Sequence, residues 1–72
     1  MKAIIGDHVI LIKPVTTEME QQLPEGTHGF VVDIAETNDE AYAVEFYVPK
    51  EPPEYGDDLE TVTVRPDVFG VT

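Results

Sequence analysis

The chain has 72 residues, 42% of them hydrophobic, no cysteine, and a formal charge of −11 from 15 acids against 4 bases. A chain this short supports one small core and excludes a second, so residues 1–72 are expected to form a single domain. The lack of cysteine excludes disulfide staples and the thiolate ligands of most zinc sites, which leaves packing, or a partner, to supply stability.

No apolar run approaches the roughly 20 residues of a membrane-spanning helix, and no charged leader precedes an apolar segment. The expectation is a cytoplasmic chain that does not enter membranes. Its charge is uneven. Residues 33–60 hold ten acids (Asp33, Glu36, Asp39, Glu40, Glu45, Glu51, Glu54, Asp57, Asp58, Glu60) against Lys50 alone, a local charge of −9. Nucleic-acid affinity depends on Lys and Arg displacing phosphate counterions, so direct DNA or RNA binding is disfavoured. The same field would speed encounter with a basic protein surface, and it also serves plain solubility.

Apolar residues alternate with a period of two along much of the chain, and no stretch sustains the helical spacing, so the fold class is all-β. The first strand is read from Asp7 to Lys13, β-branched at Val9, Ile10 and Ile12, bounded by Gly6 and Pro14, and apolar on both faces as a central strand would be. Val15 to Glu25 is mostly polar and reads as a long loop with room for one helical turn. Gly26 and Gly29 mark a tight turn that needs positive φ or close backbone approach.

A second strand follows, with Phe30, Val32 and Ile34 expected on the core face and Val31, Asp33 and Ala35 on the other. Thr37 to Glu40 reads as a turn. The third strand, Ala41 to Val48, alternates most cleanly, placing Tyr42, Val44, Phe46 and Val48 inward against Ala43, Glu45 and Tyr47. Residues 49–58 carry three prolines and four acids and read as a solvated loop. The fourth strand, Leu59 to Arg65, turns Val62 and Val64 inward, which leaves Leu59 on the polar parity without an explanation. Pro66, Asp67 and Val68 suit a short 3₁₀ turn, and Phe69 to Val71 a last strand.

Five strands, a long first loop and a 3₁₀ turn before the last strand describe a five-stranded SH3-like barrel. The segments Gly6-Asp7-His8-Val9, Leu23-Pro24-Glu25-Gly26-Thr27-His28-Gly29-Phe30-Val31-Val32, Tyr42-Ala43-Val44-Glu45-Phe46 and Val62-Thr63-Val64 carry a family likeness. In these the chain resembles the short bacterial SH3-like barrels that stand alone, similar in layout to KOW-type modules and to the barrel of nitrile hydratase subunits. The resemblance implies a stand-alone binding module. The chain departs from nucleic-acid-binding barrels in its acidity, and from proline-rich-peptide-binding SH3 domains in having no Trp and no Ala-Leu-Tyr-Asp-Tyr-like segment.

The favoured interaction residues are Tyr55 with Glu54, Asp57 and Asp58 in the acidic loop, where an amphipathic anchor sits among steering charges. Tyr47 and Glu45 on the outer face of the third strand join them, with Val31 expected beside Tyr47 in one contact patch. No metal or cofactor is expected. There is no Asp-x-Asp-x-Asp-Gly loop, no His-Glu-x-x-His spacing and no phosphate-cradling glycine motif. His8 and His28 read as surface or turn histidines. With neither serine nor cysteine, and with a small barrel filled by its own side chains, catalysis is not expected either. The reading is a non-catalytic acidic interaction module, an adaptor or the neutralising partner of a basic protein. A DNA-mimic inhibitor and an accessory subunit of a larger enzyme are the alternatives.

Overall fold

The computed structural model of the chain describes residues 2–36, 40–49 and 56–72. In chain order the elements are β1 (His8–Leu11), β2 (Val15–Thr16), β3 (Gln22–Leu23), β4 (His28–Glu36), β5 (Glu40–Pro49), β6 (Asp57–Val64), a 3₁₀ turn (Pro66–Val68) and β7 (Phe69–Val71). The class is all-β, as the period-two alternation predicts. Five strands form one antiparallel sheet in the order β6-β5-β4-β1-β7, and β2 and β3 form a separate two-stranded ribbon. β1 is flanked on both sides, by β4 and β7, in keeping with its two apolar faces. The long first loop is therefore a hairpin rather than a loop with a helical turn. Val15 pairs with Leu23 and Thr16 with Gln22, and the tip closes through bonds from the Thr17 amide to the Gln21 carbonyl and from the Glu20 amide to the Thr17 carbonyl.

The two glycines of the second turn do different work. Gly26 has φ +94°, which closes the turn between Pro24 and Thr27, and its amide donates to the Leu11 carbonyl at 2.8 Å. Gly29 is a close-approach position in which an added Cβ would stand 2.7 Å from the Glu45 carbonyl oxygen and 2.9 Å from the Phe46 ring. The absent side chain is what lets Phe46 lie across β4 with no exposed surface.

One expectation about β4 is overturned. Val31 is buried at 1% exposure, whereas Phe30 and Val32 are only partly covered. The register explains the difference: Val31 pairs with Val44 and Asp33 with Ala43, so Val32 is an extra residue in a β-bulge. Gly29 and Val31 face inward before the bulge and Ile34 after it, so no single alternation describes the strand. Strict alternation does hold on β5, where Tyr42, Val44 and Phe46 are all at 0% exposure.

Other boundaries shift at the strand ends. Glu40 opens β5 rather than ending a turn, Pro49 closes β5, and Asp57 and Asp58 begin β6 rather than lying in the acidic loop. Residues 37–39 of the expected turn and 50–55 of that loop lie outside the described residues.

The core joins Val9, Leu11, Leu23, Val31, Tyr42, Val44, Phe46, Val64 and Phe69, with Ala3 of the N-terminal segment added to it. Burying each large apolar side chain contributes about 1.5–3 kcal/mol, against the ordering entropy of the chain. The segment before β1 is held by Tyr42. Its hydroxyl accepts from the Lys2 amide at 2.8 Å and from the Ala3 amide at 3.3 Å and donates to Glu40 Oε2 at 2.5 Å, while its ring meets Phe69 edge-on at 5.3 Å. The Lys2 ammonium in turn donates to the carbonyls of Pro66 and Phe69 and sits 4.9 Å from the centre of the Phe69 ring. The Tyr42 hydrogen bond holds the Glu40 carboxyl below its usual value. Burial, and then the hydrogen bond to Glu40, push the Tyr42 hydroxyl up.

Candidate interaction surface

The outer face of the sheet is built by cross-strand pairing. One row runs Thr61, Glu45, Phe30, His8 through the pairs Glu45–Thr61, Phe30–Glu45 and His8–Phe30. A neighbouring row holds Leu59 opposite Tyr47, and His28 opposite Ile10. Tyr47 is 39% exposed and Leu59 50% exposed, side by side on β5 and β6. The Tyr47 ring leans on the half-buried Phe30 ring at 5.9 Å, which braces a side chain that stays exposed.

The outer parity of Leu59, unexplained by the sequence, is therefore half of a cross-strand apolar pair. Phe30, assigned to the core by alternation, supplies the aromatic floor of this face, and Val31, expected beside Tyr47, points the opposite way into the core.

A groove of about 410 Å³ opens at the edge of the patch. Tyr47 and Val48 form one wall, and Leu23, Pro24, Gly26 and His28 the other. The turn at Gly26 sets the second wall, so a backbone requirement of the fold shapes the surface. His28 also stacks on His8, with ring centres 5.2 Å apart and planes at 25°. His8 Nδ1 lies 2.6 Å from Thr72 Oγ1. Both histidines are exposed, as expected, but only the diagonal placement on β1 and β4 brings together two residues twenty apart in sequence. Among the described residues no group of three or more His, Asp and Glu side chains is disposed to hold a metal ion.

Of the residues favoured by sequence, Tyr47 and Glu45 share this face, and Asp58 is exposed one position before Leu59. Asp57 opens β6 opposite Pro49, and Glu54 and Tyr55 lie outside the described residues. Sequence reasoning missed Phe30, Leu59 and the Leu23–Pro24 wall. The one signal that pointed to them was Leu59, an apolar residue on the polar parity of its strand. Among the described residues no helix is long and apolar enough to cross a membrane. In comparisons with family models, curated proteins and solved structures, nothing matches the chain.

Proposed function

We propose that the chain is a non-catalytic protein-interaction module built as an SH3-like barrel, and that it docks on a basic protein as an adaptor or neutralising partner. The strand order β6-β5-β4-β1-β7, the hairpin after β1 and the 3₁₀ turn before β7 support the barrel reading. The observation that carries the docking reading is the Phe30–Tyr47–Leu59 patch beside an apolar groove, in a chain of net charge −11. An exposed tyrosine braced by a second ring loses little freedom on binding, and interface energy concentrates in such anchors. Glu45, Asp58 and Glu25 border the patch and its groove. They favour a partner that presents an apolar side chain framed by Lys or Arg, and they repel acidic competitors.

The test is capture of partners from native extract on the immobilised wild-type chain and on Tyr47→Ala and Leu59→Ser, at low and high salt, with each captured protein then purified and titrated directly. The expected result is a basic protein whose affinity falls at least tenfold with either substitution and weakens further as salt rises. Equal affinity for all three chains would remove the face from the interface, and an acidic partner would remove the charge argument.

A further inference from the structure

The edge of the sheet at β6 offers a second recognition element, next to the outer face. β6 pairs with β5 along its whole length, in unbroken register from Tyr42–Val64 to Pro49–Asp57. It ends the sheet, and no strand among the described residues pairs with its other side. In an antiparallel ladder alternate residues of an edge strand turn both N–H and C=O away from their neighbour, so β6 directs a regular row of backbone donors and acceptors to that side.

The space beside it has definite walls. A groove of about 380 Å³ lies between Glu60, Thr61 and Thr63 of β6 and Thr17, Glu18 and Met19 at the tip of the β2–β3 hairpin. The hairpin tip uses its own backbone groups internally, with the Thr17 amide bonded to the Gln21 carbonyl, the Glu20 amide to the Thr17 carbonyl and the Gln21 amide to Thr17 Oγ1. It forms a wall that does not draw on the β6 ladder. Met19 is 85% exposed at the rim of this groove. Edge strands are commonly guarded by charge against indiscriminate pairing, and Glu18 and Glu60 act here as a filter. They disfavour an acidic strand, including β6 of a second copy, and favour a basic one.

We propose that the β6 edge receives an extended segment of the partner, paired strand to strand between β6 and the Thr17–Met19 wall, with Lys or Arg at alternate positions toward Glu18 and Glu60. The inference rests on the reading of the chain as a module for a basic protein, and adds the form in which that protein is held. Backbone pairing would supply affinity, and the carboxylates of Glu18 and Glu60 with the neighbouring threonine hydroxyls would supply selectivity.

The test uses three seven-residue peptides and the full chain, followed by amide NMR. One alternates lysine with valine, one alternates glutamate with valine, and one is the lysine peptide N-methylated at alternate backbone nitrogens. The lysine peptide is expected to shift and protect alternate β6 amides, with at least tenfold weaker binding by the other two. If the lysine peptide binds with shifts confined to Phe30 and Tyr47 and is indifferent to N-methylation, edge pairing is wrong while the basic-partner reading stands. Equal binding by the lysine and glutamate peptides would keep the edge and overturn the preference for basic partners. No binding of the lysine peptide at millimolar concentration, or concentration-dependent protection of β6 in the free chain from self-pairing, would overturn the proposal.

Discussion

Tyr42 and Tyr47 stand five residues apart on β5, and so on opposite faces of the sheet, with contrasting surroundings. Tyr42 has no exposed surface, and its hydroxyl ties the N-terminal segment to the sheet through two backbone amides and Glu40. Tyr47 is 39% exposed and is flanked on the sheet surface by Phe30 of β4 and by Leu59 of β6 opposite it. The difference teaches that residue type says little without parity. The same side chain closes the core in one place and offers a contact in the other.

The sharpest way to break this contrast is Tyr42→Ala. Truncating a fully buried aromatic in so small a domain removes packing and strands the Lys2 and Ala3 amides, and the chain is expected to be largely unfolded at 25 °C by circular dichroism. Next comes Gly29→Ala, where the new methyl meets the Glu45 backbone, which cannot swing aside as a flexible side chain would. A loss of about 3 kcal/mol in urea unfolding is expected, and an unchanged midpoint would show that β4 and β5 separate more easily than their pairing implies.

The hydroxyl network at Tyr42 gives a smaller, pH-dependent effect. The Glu40 carboxyl is held below its ordinary value of 4.5, so its contribution is present above that pH and is lost as pH falls through the lowered folded value. The Tyr42 hydroxyl is raised above its ordinary 10.0, so its contribution is intact below that pH and is lost as pH rises through the raised folded value. Thermal melts across pH should lose part of the acid slope in Glu40→Gln and part of the alkaline slope in Tyr42→Phe. Unchanged slopes in both would remove this network from the stability of the fold.

The smallest change in stability belongs to Tyr47→Ala, which should cost about 1 kcal/mol in unfolding, mostly from the lost contact with Phe30, while abolishing most partner affinity. A large stability loss there would make Tyr47 a structural residue and collapse the contrast with Tyr42.

Much of this architecture was legible in the residues. The clean alternation of β5, the work of Gly26 and Gly29, and the turn at Pro66 follow from period, φ and the missing proline donor. The acidic loop was read too long because composition marks loops without marking where pairing stops, and Asp57 and Asp58 are paired with Pro49 and Val48. The hairpin of β2 and β3 was invisible because a ladder of two residues per strand leaves no period to detect. The candidate surface was half legible. Glu45 and Tyr47 follow from parity, but the histidine stack and the groove depend on register between strands, which a single sequence does not contain.

The bulge at Val32 behaves like a shift of reading frame within one strand. Upstream the odd positions are read by the core, and downstream the even ones, with Ile34 taking the place Val31 held. Deleting Val32 would put both halves in one frame with Phe30 still outward and Val31 and Ile34 still inward, so the inserted residue sets the bend and twist of the strand and not its choice of faces. The strand that carries Phe30 thus owes its local bend to a partly covered residue with no partner in the ladder, and a library varying only exposed positions would leave that bend untouched.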